Sequence, residues 1–171
     1  MMISEGLAAA MSKQVVAEFY SSYLYLSMSA WFDSRGLSGF ANWMKTQAQE
    51  ELTHGGKIFN YIGERDAEVE LGSIEAPPAK WDSPLAAFKA AYQHEQKVTG
   101  MINDLVAMAR DERDFASESF LQWFVNEQVE EESTAKGIVD QLTIAGDHPQ
   151  ALLMLDRELG QRVFAMPAAA E

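Results

Sequence analysis

The stretch Gln49-Glu-Glu-Leu-Thr-His54 places a carboxylate, Glu51, and an imidazole, His54, one turn apart on one face of a predicted helix. Apart from Gln47, the rest of that face is largely apolar, with Met44 and Ile58 recurring at helical spacing on either side. A buried carboxylate without an opposite charge costs several kcal/mol. Glu51 therefore needs a compensating charge in the folded protein.

Three further predicted helices carry a glutamate at an equivalent apolar position: Glu18, Glu95 and Glu131. Glu18 lies 33 residues before Glu51, and Glu95 lies 33 residues before Gln128, which opens the matching run Gln128-Val-Glu-Glu131. Each signal is weak alone, because a lone glutamate can reach solvent from such a position. Four carboxylates at one level favour a pair of metal ions over the alternative of a metal-free helical scaffold.

Composition narrows the class of protein. Acidic residues outnumber basic ones 26 to 13, which argues against binding of a nucleic-acid backbone and is compatible with cation binding or with simple solubility. The chain contains no cysteine, so thiolate metal sites and cysteine nucleophiles are excluded. It shows no signal-peptide pattern and no run long enough to span a membrane, so we expect a cytoplasmic protein.

Hydrophobic periodicity and the positions of Gly and Pro predict an all-α fold. The predicted helices cover residues of about 4–34, 38–63, 83–110, 115–145 and 149–159. Gly36 is expected to end the first helix and Ser38 to cap the second. The non-helical residues from about 64 to 82 are long enough for a crossover along an antiparallel four-helix bundle. The fifth helix is short, and the tail from residue 165 is expected to be mobile.

The residues themselves indicate two unequal metal sites. Glu18, Glu51 and His54 offer two oxygens and one nitrogen to a first ion, and Glu95 and Glu131 offer oxygen to a second, with Glu51 shared. Such oxygen-rich ligation suits iron or manganese and is unlike a structural zinc site.

With these motifs in place, the chain resembles the non-haem bacterial ferritins over nearly its whole length. The resemblance is carried by four runs, in this order: Glu18-Phe-Tyr-Ser-Ser-Tyr-Leu-Tyr25, Gln49-Glu-Glu-Leu-Thr-His54, His94-Glu95-Gln96, and Phe120-Leu-Gln-Trp-Phe-Val-Asn-Glu-Gln-Val-Glu-Glu-Glu132. It implies a single ferritin-like domain over residues 1–171. It also implies iron storage and detoxification, with a ferroxidase that oxidises Fe(II) by O2 or H2O2.

The resemblance implies a role for each site residue. The first iron site is Glu18, Glu51 and His54, and the second is Glu51, Glu95 and Glu131, with Gln128 close by. Tyr25 is implied to lie near the irons and donate an electron; the alternative is a core aromatic. A third iron site would use the acids Glu50, Glu127 and Glu130, for which the alternative is a solvated acidic face.

The resemblance also implies a homo-oligomeric shell of 24 subunits, with no nucleic-acid or membrane partner. No haem is expected, because Leu52 stands where bacterioferritins have a methionine, and Glu131 stands where they have a histidine. Gly55-Gly56 departs from ordinary helix composition, since the two glycines together cost about 1.5–2 kcal/mol relative to alanine. They either permit close packing or loosen the backbone beside His54.

Overall fold

The structure is a computed structural model and describes residues 2–165. Its five helices are α1 Glu5–Asp33, α2 Ser38–Glu64, α3 Pro84–Asp111, α4 Phe115–Ala145 and α5 Pro149–Leu159. Each end lies within one residue of its predicted position, and the described residues contain no strand. The all-α bundle with a short fifth helix is confirmed. The expected mobility of the tail falls, apart from residue 165, outside the described residues.

Local side-chain caps begin three of the helices. The Ser4 hydroxyl accepts a hydrogen bond from the Leu7 amide at 3.0 Å, and Ser83 does the same for Ala86 at 3.0 Å. Asp114 accepts from the Ser117 amide at 3.1 Å. Each capping side chain accepts a hydrogen bond from an amide that has no partner within the helix. Because Ser and Asp are typical capping residues, the starts of these helices can be predicted from the sequence.

The start of α2 is different, and the prediction that Ser38 caps it was wrong. Ser38 is the first helical residue, and the preceding residue makes no side-chain cap. Instead the Asp156 carboxylate, from α5, accepts from the amides of Gly39 and Phe40 at 2.8 and 3.0 Å. A Cβ on Gly39 would overlap the Asp156 carbonyl, so glycine allows α5 to dock against α2.

The crossover between α2 and α3 runs along α1, as expected. The Glu70 amide donates to the Ser12 hydroxyl at 3.3 Å, and the Ser27 hydroxyl donates to the Pro78 carbonyl at 2.7 Å. Trp81 then packs edge-on against Trp31, with ring centroids 5.8 Å apart. The crossover thus spans most of α1 and returns the chain to begin a second antiparallel helix pair.

The buried apolar side chains form two separate clusters. One contains Phe32, Phe40 and Phe88, and the other contains Met11 and Ile58 with their neighbours. In every long helix the predicted glutamate position falls in sequence between the segments that feed the two clusters. The bundle is therefore apolar at both ends and polar in a middle layer. None of the described helices has a stretch long and apolar enough to cross a membrane.

Candidate metal centre

The middle layer holds one or more acids from each of the four long helices. Glu18 on α1, Glu51 on α2 and Glu95 on α3 are each at most 2% exposed, and His54 is 4% exposed. Glu131 on α4 is partly exposed. Glu18 interacts electrostatically with Glu51 and His54, and Glu51 with Glu95 and Glu131, so these five side chains lie at one level of the bundle.

Glu18, Glu51 and His54 form a compact, fully buried group. Each offers one ligand atom, and these atoms all lie within 4.8 Å of one another. His54 Nδ1 lies 3.5 Å from Glu51 Oε2. The Gln14 amide donates to Glu18 Oε1 at 2.8 Å and fixes that carboxylate. This geometry is compatible with a cation held by two carboxylates and one imidazole.

The second predicted half-site is organised around Glu95. The Tyr25 hydroxyl donates a hydrogen bond to Glu95 Oε1. The Gln128 amide donates to Glu95 Oε2 and to its carbonyl, both at 3.2 Å. Gln128 thus orients the Glu95 carboxylate. This role adds to the prediction that Gln128 lies close to the second metal ion.

Gln47 is a member of this layer whose functional role the motifs did not single out. Its amide nitrogen donates to Glu51 Oε1 at 3.0 Å and to Glu131 Oε2 at 2.7 Å. Gln47 therefore ties the acid of α2 to the acid of α4. A sequence pattern could have identified it. Gln14 precedes Glu18 by four residues and Gln47 precedes Glu51 by four, so the two glutamines are also 33 residues apart.

Burial raises the pKa values of all four carboxyl groups. The pKa of Glu18 rises to about 8, chiefly by burial and then through the nearby Glu51 carboxylate. The pKa of Glu131 rises to about 7, by burial and then through Glu95. Burial also raises the pKa of Glu95, and that of Glu51 well above its usual range. At a pH below these pKa values the carboxyl groups are protonated and neutral. At a higher pH a bound cation balances the negative charge of the carboxylates instead.

We expect the metal-free protein to be less stable at pH 8 than at pH 5. Folded Glu18 keeps a proton that the unfolded chain releases above its ordinary pKa of 4.5, so the folded state binds more protons. The free energy of unfolding then falls as pH rises from about 4.5 to 8, by a few kcal/mol. Urea unfolding in the presence of a chelator measures this change.

The matched variant for this prediction is Glu18→Gln, which keeps the shape of the side chain and removes its titration. Its free energy of unfolding should depend less on pH than that of the wild-type protein. Equal pH dependence in the two proteins would show that burial of Glu18 is not the cause.

The three acids predicted for a third site, Glu50, Glu127 and Glu130, line one cleft beside the layer. The cleft has a volume of about 330 Å³, and His54 and Glu131 also line it. Ligand atoms of His54, Glu127 and Glu131 lie within 4.8 Å of one another. The three acids thus converge on one cleft, although Glu130 itself is exposed.

Trp123 and His94 also adjoin the centre. Trp123 packs edge-on against His54, with ring centroids 5.4 Å apart, and Lys57 Nζ lies 3.8 Å from the centroid of the Trp123 ring. His94, next to Glu95, hydrogen-bonds through Nε2 to the Ser21 hydroxyl at 2.7 Å. Burial lowers the pKa of His94 to about 4, so this ring is neutral at pH 7.

The two glycines after His54 have different roles. A Cβ built on Gly55 would lie 2.5 Å from Phe19 Cε1 and 3.3 Å from Glu18 Cβ, whereas one on Gly56 would meet nothing within 4 Å. Of the two alternatives, close packing therefore applies to Gly55. It lets α1 approach α2 at the level of Glu18.

A long-crossover bundle with carboxylates and a histidine at mid-height defines a helical-bundle metal-carboxylate protein. The ferritin-like domain model matches residues 8–145, and the chain belongs to this family. Membership of the family, with the carboxylate–histidine cluster, makes it an iron-storage protein with a ferroxidase centre.

Individual relatives agree with this assignment. The chain is 45% identical over 161 residues to a bacterial non-heme ferritin of Bacteroides fragilis, covering 94% of this chain and all of the relative. A bacterial non-heme ferritin of Staphylococcus aureus is 40% identical over 163 residues, covering 95% of this chain and 98% of the relative. An open-pore ferritin of the archaeon Archaeoglobus fulgidus is 53% identical, with a TM-score of 0.94, covering 95% of this chain and all of that one. The resemblance to non-haem ferritins is confirmed.

Proposed function

We propose that the protein oxidises Fe(II) at two adjacent positions in the polar layer. Glu18, Glu51 and His54 hold the first ion, and Glu51, Glu95 and Glu131 hold the second, with Gln128 beside it. The observation that carries this proposal is the convergence of four buried or partly buried carboxyl groups, all with raised pKa values. Iron is the substrate and cargo of this centre.

The two positions are chemically unequal. The first includes an imidazole and is already compact, since its three ligand atoms lie within 4.8 Å. The second has oxygen ligands, and its Glu95 is engaged by Tyr25 and Gln128. We infer that the first position binds Fe(II) more tightly, while the second releases the oxidised product more readily.

The electron balance requires an acceptor from solution. Two Fe(II) ions lose one electron each, and O2 takes up both electrons with two protons to give H2O2. If H2O2 is the oxidant, it takes up two electrons and two protons to give two water molecules. We propose that Tyr25, whose hydroxyl bonds to Glu95, can replace one Fe(II) as the source of one of these two electrons, releasing its hydroxyl proton in the same step.

The oxidised iron is stored as a hydrated ferric mineral inside a shell of identical subunits, which we propose to number 24. Glu50, Glu127 and Glu130 form a third iron position on the way out of the centre, in the cleft that adjoins His54 and Glu131. The cytoplasm is the proposed location.

Aerobic addition of Fe(II) should produce a near-ultraviolet ferric absorbance, and the iron should elute with the protein in the size range of a large shell. Absorbance spectroscopy measures the first property, and size-exclusion chromatography with iron detection across the eluted fractions measures the second. A metal-free adaptor would show neither. A monomer or dimer under native conditions would exclude the storage shell, and a large assembly that leaves Fe(II) unoxidised would exclude the ferroxidase.

A further inference from the structure

Arg162 projects from the segment after α5 into the cleft of Glu50, Glu127 and Glu130. It lies three residues beyond the last residue of α5, Leu159, and lines the cleft together with these acids. Its Nη2 forms an ion pair with Glu50 Oε2. The cleft proposed as a third iron position thus contains a cationic side chain of the protein itself.

Three side chains along α2 hold this residue. The Asn42 amide donates to the Arg162 carbonyl at 2.9 Å and fixes the backbone. The guanidinium carbon lies 4.4 Å from the centroid of the Trp43 ring, which is cation–π geometry. Glu50, two turns further along α2 from Trp43, pairs with the far end of the side chain. These three contacts run in order along α2, from the Arg162 backbone to its guanidinium group. They direct the side chain along α2 into the cleft.

The guanidinium is incompletely satisfied there. Nη1 is buried and has no hydrogen-bond partner among the described residues, although Nη2 is paired. The side chain as a whole is 22% exposed, so solvent reaches part of it. A buried donor without a partner weakens the hold of the cleft on the group. Arg162 is therefore held by its backbone, by the Trp43 ring and by one ion pair, while its second guanidinium nitrogen stays unsatisfied among the described residues.

We propose that Arg162 is a tethered counter-ion of this cleft, and that a metal cation binds at Glu50 only when the guanidinium leaves. The two positive charges compete for one carboxylate, so Arg162 sets the affinity of the third position and leaves the other two unaffected. This inference rests on the proposed function. It makes the C-terminal segment, after α5, a determinant of when iron occupies the cleft.

The test is calorimetric titration of the metal-free, assembled protein with Zn²⁺, which binds carboxylate and imidazole but is not oxidised. In Arg162→Gln the weakest class of sites should tighten about tenfold in dissociation constant, the equivalent of about 1.4 kcal/mol. The tighter classes should not change. Arg157→Gln, which removes the same charge from an exposed position on α5, should bind like the wild-type protein.

A second variant keeps the test decisive if Arg162→Gln does not fold. Asn42→Ala releases the backbone of Arg162 and should tighten the weakest sites in the same direction, by less. Unchanged weak sites in the folded variants, beside normal tight sites, would overturn this inference and leave the proposed function standing. Absence of any tight sites in the wild-type protein would overturn the proposed function and this inference with it.

Discussion

Glu51→Ala is expected to slow ferric product formation at least about 100-fold, more than Glu18→Ala or His54→Ala. Its carboxylate is grouped with Glu18 and His54, and Gln47 links it to Glu131, so we expect it to contribute to both proposed iron positions. Loss of a residue that only orients a metal ligand typically costs 10–100-fold, and loss of a shared ligand should exceed that. The measurement is the initial rise in ferric absorbance at two Fe(II) per subunit in air-saturated buffer.

Glu64→Ala is the matched control for that variant, because it removes an exposed acid from the last turn of the same helix. It should oxidise Fe(II) at the wild-type rate. Glu51→Ala should also raise the stability of the metal-free protein at pH 8, since it removes a carboxyl group whose pKa burial raises. A Glu51→Ala protein that is folded, assembled and within tenfold of the wild-type rate would rule out the shared position.

Gly55→Ala is expected to destabilise the protein by about 1–3 kcal/mol, because its methyl group would overlap the Phe19 ring. This expected range is the net effect, after the roughly 1 kcal/mol by which alanine favours a helix over glycine. The same methyl group would lie against Glu18 Cβ, so displacement of α1 should also slow iron oxidation. Urea unfolding and the absorbance assay measure the two effects on one preparation.

The neighbouring Gly56→Ala provides the control, since its methyl group would meet nothing within 4 Å. It should stabilise the protein by up to about 1 kcal/mol through helix propensity alone. If both alanine variants were stabilised equally, the close approach of α1 to α2 at Gly55 would be wrong.

Helix positions were predictable because their signals are local. The capping residues Ser4 and Ser83 directly precede the first residues of α1 and α3. Each predicted helix end was correct to within one residue. The start of α2 was mispredicted at its cap because the capping carboxylate, Asp156, is 117 residues away from Gly39. A pattern within a short window cannot report a partner at that distance.

The same division applies to the metal centre. The apolar periodicity of each long helix was enough to identify four glutamates on the side of the helix that faces the core: Glu18, Glu51, Glu95 and Glu131. This works because an amphipathic helix has only one inward face. Only packing of α2 against α4 shows that Gln47 bonds both Glu51 and Glu131. Likewise, only the chain path after α5 brings Arg162 to Glu50. Periodicity selects which side chains face inward, whereas hydrogen bonds and ion pairs between helices depend on distances of a few ångströms that only the assembled bundle sets.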